Sequence, residues 1–288
     1  MKSFIIALVA GIIGGVAYSF LPDASWGMGL AAVITALVAY FIINRKINAK
    51  LMVVVNASQD HIQATQEKVR KKLNAMQNKP GTNPVAAQKT LENMQKDGIE
   101  EAIKMLEPAE ELYSWSILAR KQVSTIKYQL QFSLKNFNKA DQLEGDILLF
   151  DPQLVAMRMA REWMRKPLSK ENSIKEIESS EIASLFKKGT GRAKGANGAF
   201  LYNTYAWMLN KAGQGKMAME LLTKALDKKC SDDVIKNNLD ALRNGQESKF
   251  SNKAYSERWF ALHLEEPPKP KQQKQKMRHG RKQGFQPF

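Results

Sequence analysis

Two apolar runs without a charge open the chain, and mixed apolar and polar positions at helical spacing fill the rest. Phe4–Leu21 and Trp26–Ile43 each hold 18 such residues. At ~1.5 Å rise per residue each nearly crosses a ~30 Å hydrocarbon layer. Only a helix can do so with its backbone satisfied. Pro22-Asp23-Ala24-Ser25 is a turn between them, flanked by Tyr18 and Trp26, whose rings favour a membrane–water boundary. The pattern predicts a transmembrane hairpin over residues 1–43. Small residues recur at every fourth place, as Ala7, Gly11, Gly15 and Ser19, and again as Gly27, Ala31, Thr35 and Ala39. Such stripes let helices approach closely in lipid. They either face each other within the hairpin or serve a homodimer through Gly11 and Gly15.

Beyond the hairpin the period becomes amphipathic. Ile47, Leu51, Val54, Val55, Ile62, Val69, Leu73 and Met76 fall mostly three, four or seven apart, with Gln, Lys and Arg on the other face. Residues 44–79 are expected to form a helical stalk that continues the second span. It packs on the following domain or pairs with a second copy, although Ser58 and Thr65 interrupt a coiled-coil seam. Prolines 80 and 84 with Gly81 mark a linker over 80–84.

From 85 to 266 no alternating strand pattern occurs, and the fold class is all-α. Helices are predicted to begin at Gly98, Lys135, Gly213 and Lys253, and Asn252–Leu264 to form the last of them. Their first small residues are Ala102, Ala140, Ala218 and Ala254, spaced 38, 78 and 36 apart. Counting the 78 as two units gives a repeat of about 36–39 residues, two helices each. The unit between has Ser173–Lys187 as its second helix.

In Ala199–Lys229 the first helix carries Tyr202, Tyr205, Ala206 and Leu209. Gly213 takes the turn, and Ala218, Leu222 and Ala225 form a small–large–small stripe. Pro152 stands where a repeat closes, with Ala160 at the crowded site of the next. In these residues the chain resembles the tetratricopeptide repeat superfamily. Tyr128 departs from its small-residue rule, and the period exceeds the usual ~34 residues. The resemblance implies an irregular tetratricopeptide-like α-solenoid whose concave face takes a protein or peptide. On that face Arg158, Arg161 and Arg165, and one unit on Asn203, Asn210 and Lys211, are the expected partner-binding residues. Guanidinium groups and amides suit an acidic peptide, whereas a solvated basic face needs no partner.

Charge then sets the address. The formal net charge is +16. Lys2 precedes the first run and Arg45, Lys46 and Lys50 follow the second, while the turn has no cation. The positive-inside rule places both termini in the cytoplasm of a bacterial inner membrane. The alternative is a signal peptide cleaved near Ala17-Tyr18-Ser19. Residues 267–288 form a basic tail with too little apolar surface to fold. Its Lys274, Lys276, Arg278, Arg281 and Lys282 suit anionic lipid, or RNA and the ribosome.

Catalytic chemistry is not legible. His61, His263 and His279 lack ligand partners at metal spacing, and neither metal nor cofactor is expected. Cys230 is the one cysteine, which excludes an internal disulfide and fits a reducing compartment. Gly189–Gly195 is rich in glycine and cations but lacks the Lys-Ser/Thr ending of a phosphate loop. The function expected is a membrane-anchored scaffold that recruits a protein partner, and not an enzyme. An RNA- or ribosome-contacting membrane factor is the alternative.

Overall fold

The structure is a computed structural model that describes residues 2–20, 27–77 and 84–268. These residues are helical with no strand among them. The turn at 22–25, Trp26, most of the linker, and the tail from 269 with its five named cations lie outside the described residues.

Helix α1 (Lys2–Ser19) and the first part of α2 (Gly27–Gln77) are each long and apolar enough to cross a membrane. They pack on each other through small residues. Ala7, Gly11 and Gly15 are buried. A side-chain carbon added at Gly11 would come within 2.8 Å of Ala32 O and Ala36 Cβ, and one at Gly14 within 2.5 Å of Thr35. The helices thus pack inside one hairpin through small residues, but not stripe on stripe: Gly11 of the first meets Ala32 and Ala36, and Thr35 of the second meets Gly14. The large apolar side chains point away from it: Phe4, Ile12, Leu30, Leu37 and Phe41 are exposed.

Helix α2 runs on without a break for 51 residues, roughly 75 Å. The stalk does not stand apart from the chain behind it. α3 (Pro84–Met105) returns antiparallel along it: buried Ser58 donates to Ala102 O at 2.9 Å, His61 meets Glu101, and Gly98 lies against Thr65. Gly98 thus does not begin a helix. It sits inside one, where any side chain would overlap Thr65. A 3-10 turn (Glu107–Ser114) and α4 (Ile117–Ser133) complete this side. Ile47, Leu51 and Val55 of α2 close a small core with Leu106, Ala109, Ala119 and Val123.

Helix α4 bridges to a larger core through Tyr128 and Phe132. Around it lie α5 (Phe137–Asp141), α6 (Pro152–Arg165), α7 (Ile174–Ser179), α8 (Glu181–Thr190), α9 (Gly195–Lys211), α10 (Gly215–Asp227), α11 (Asp233–Arg243) and α12 (Glu257–Phe260). α9 is the central rod, buried almost continuously from Gly198 to Leu209. α6, α8, α10 and α11 pack directly against it.

The ends are set by short polar residues. Asp151 caps α6, with Pro152 at its first position, where a proline's missing N–H costs no helical bond. Ser173 forms a capping box with Glu176. Ser180 both ends α7 and caps α8, which splits the single helix expected over Ser173–Lys187. Four helices stop in one way. Lys135, Gly213, Lys229 and Gly245 take positive φ, and the next N–H reaches back to Gln131, Leu209, Ala225 and Ala241 O at 2.8–2.9 Å. This closes the free carbonyls of each last turn.

Ala102, Ala140 and Ala218 are fully buried, as their crowded positions require. Ala254 is exposed. The last predicted helix does not form over Asn252–Leu264. Ser256 and His263 turn the backbone left-handed, leaving a 3-10 turn and the four-residue α12.

Candidate functional site

The arginine row of α6 lies on one face, as its spacing dictates, but that face is not open. Arg161 donates to both carboxylate oxygens of Asp141, at 2.8 and 2.6 Å. Arg165 reaches Asp141 at 2.7 Å, Glu144 at 2.9 Å and Glu162 at 2.8 Å. Arg158 is buried against Glu144 and Glu162. Three cations thus meet three carboxylates, and the cluster ties α5 and the following turn to α6. Hydrogen bonds from Arg161 lead in holding the Asp141 carboxyl down to about 2. Burial pushes the neighbouring Tyr128 phenol up to about 12. These groups answer each other, so a docking face for an acidic peptide is not what the row builds.

The second half of the expected face is dispersed as well. Asn203 is fully buried. Its amide donates to Tyr255 Oη at 2.7 Å and accepts from Asn238 at 2.9 Å. Asn238 also donates to Asn252 at 3.0 Å and accepts from Ser251 N, while Asn252 donates to Asn203 O. Tyr255 donates to Asp232 at 2.6 Å, and its pKa is raised, first by burial and then by that bond. Each polar group has a partner, as buried amides require. Asn210 donates to Glu247 O, and the Lys211 ammonium lies 5.5 Å from the Trp207 ring centre.

The surface along α9 where a peptide was expected is covered by the chain's own residues 250–265. Trp259 is fully buried against Trp207, with ring centres 5.3 Å apart. Glu265 accepts from both indoles at 3.0 Å. Arg258 lies over Phe200 and its carbonyl accepts from Gln153. None of these long-range partners is visible in periodicity.

An open site lies on the other side of the amide network. Between α11 and the segment 246–254 is a cleft of about 480 Å³. Asn238 is its floor, and Asn237, Asn244, Gln246, Asp240 and Lys249 line it. Except for the floor these side chains are exposed. An amide both donates and accepts, which matches the alternating N–H and C=O groups of an extended backbone. Asp240 and Lys249 add one charge of each sign. The floor is held by Asn203 and Asn252, so the cleft is shaped before anything enters it. No cluster of metal-ligating side chains occurs among the described residues. Cys230 is buried beside Gly198 and serves packing.

The chain matches no family model, no curated protein and no solved structure.

Proposed function

We propose that this protein is a membrane-anchored helical-repeat scaffold that captures an extended protein segment in the cleft beside α11. The cleft is the observation that carries the reading. It is concave, lined by the amides of Asn237, Asn244 and Gln246 together with Val234, Ala241 and Ala254, and underlain by the bonded amide of Asn238. Binding to a preformed site avoids much of the ordering cost of association.

The anchor follows from solvation. α1 and the first part of α2 turn large apolar side chains outward along their whole length. In water that surface is costly at roughly 25 cal/mol per Å²; in lipid it costs nothing. Exposed Arg45, Lys46 and Lys50 at the end of the apolar stretch favour placing the helical domain in the cytoplasm. The tetratricopeptide-like reading is supported by the α9–α10 pair. There Gly213 makes the turn at φ 75° and Ala218, Leu222 and Ala225 are fully buried.

A photo-crosslinking residue at Asn244 in native membranes tests the cleft. The expected result is a discrete protein adduct, lost when Asn237 and Gln246 are both changed to alanine. The same probe at exposed Lys188 of α8 gives none. Equal adducts at both positions, or RNA in place of protein at 244, would sink the reading.

A further inference from the structure

The chain meets the start of α1 at Trp115, and beyond the buried Ser116 stand two large apolar side chains, Ile117 and Leu118, that are exposed. α3 runs back along α2 toward the apolar half, the 3-10 turn continues that course, and α4 leaves again. Trp115 is the bottom of this excursion. Ser3 Oγ donates to Trp115 O at 2.5 Å, and Lys2 Nζ lies 5.6 Å from the centre of its ring. Ile43, the last residue of the second apolar run, packs against the same small core as Trp115. The indole therefore stands at the level where both apolar helices give way to charge. That is the depth at which tryptophan is favoured in a bilayer.

Ile117 and Leu118, in the first turn of α4, are 51 % and 46 % exposed. Ala119, one residue on, is buried on α2. The turn thus buries one side on the anchor and leaves two large aliphatic side chains beside it. Exposed Arg45, Lys46 and Lys50 follow Ile43 directly along α2. Of the acids on the adjoining turns, Glu110 meets Lys127 at 2.6 Å and Asp146 meets Arg120 at 2.5 Å, leaving Glu107 and Glu111 exposed.

We infer that the Trp115–Leu118 turn is a second, shallow membrane contact, with Ile117 and Leu118 in the interfacial layer of the leaflet from which α1 and α2 emerge. The inference rests on those helices crossing the membrane. Its consequence is that the helical domain has a fixed tilt and height. A single continuous helix would otherwise leave it free to sway, and the fixed pose sets where the cleft beside α11 faces. The occupant is phospholipid, since Trp115, just before the exposed pair, meets the start of α1 with Lys2 against its ring and shares a core with Ile43 at the end of the second apolar run.

The test uses the full chain with Cys230→Ala, reconstituted in phosphatidylcholine–phosphatidylglycerol vesicles. Bimane is attached at Leu118→Cys, at Leu37→Cys within the apolar stretch, or at Asn74→Cys far along α2. Some of the phosphatidylcholine carries a nitroxide near its headgroup. The expected result is loss of emission and a blue shift at 118, quenching at 37, and neither at 74. Quenching at 37 with 118 behaving like 74 overturns the surface contact while leaving the anchor. A blue shift at 118 without quenching points to a second copy on the patch and overturns it too. No quenching at 37 removes the anchor and this inference together.

Discussion

Trp259→Ala is expected to destabilise the helical domain by about 4 kcal/mol, the largest effect of any single truncation named here. The ring is fully buried, so its loss removes a large apolar group and leaves a cavity between α9 and residues 250–265. It also removes the edge-to-face contact with Trp207, at 5.3 Å and 69°, worth about 1 kcal/mol in such pairs. Glu265 would keep only the Trp207 indole as donor. Trp259→Phe separates these parts, because it fills most of the space but cannot donate. It should cost well under half as much. Urea unfolding of the detergent-solubilised protein, followed by far-ultraviolet circular dichroism, reads both. A loss below about 1 kcal/mol for alanine would mean that residues 250–265 do not close the core.

What periodicity reveals and what it hides can be read from these same residues. The two N-terminal helices are plain because eighteen uncharged positions in a row leave no other economical structure in lipid. Helix α9 was legible as a packing rod from Tyr202, Tyr205, Ala206 and Leu209, all buried. Boundaries were less legible, because one residue can serve opposite ends. Pro152 read as the close of a repeat and Gly98 as the start of a helix, yet Pro152 opens α6 and Gly98 lies inside α3, where it lets that helix approach Thr65. Ser180 looked like an ordinary helical position and is a double cap.

The site was the least legible part. The spacing of Arg158, Arg161 and Arg165 does put them on one face. Whether such a face is vacant depends on Asp141 and Glu144, about 20 residues upstream, which fold back onto it. The buried amides are hidden for the same reason. Asn203, Asn238 and Asn252 are 35 and 14 residues apart, and only the closed fold makes them one network. Sequence spacing reports which side chains share an element. It says nothing about what the rest of the chain lays over them.

Asp141→Ala is expected to cost about 3 kcal/mol, because it strands charges that the fold has already taken out of water. Arg161 would lose both of its carboxylate bonds while its side chain stays 14 % exposed. Arg165 would retain Glu144 and Glu162, which keeps the loss at the low end of the range for broken buried pairs. The pH dependence gives the sharper test. Hydrogen bonding from Arg161 holds the Asp141 carboxyl at about 2, below its ordinary 3.8. A carboxylate depressed on folding binds its proton more weakly in the folded state than in the unfolded one. Its contribution is therefore complete above about pH 4 and fades as pH falls toward about 2. Asp141→Asn keeps the shape and cannot titrate. The stability gap between wild type and Asp141→Asn should be constant from pH 7 to about 4 and close on the way to pH 2. Other carboxylates titrate in both proteins and cancel in the difference. A gap that persists unchanged at pH 2 would mean that Arg161 and Arg165 do not hold α5 through this carboxylate, and that the cationic row has another use.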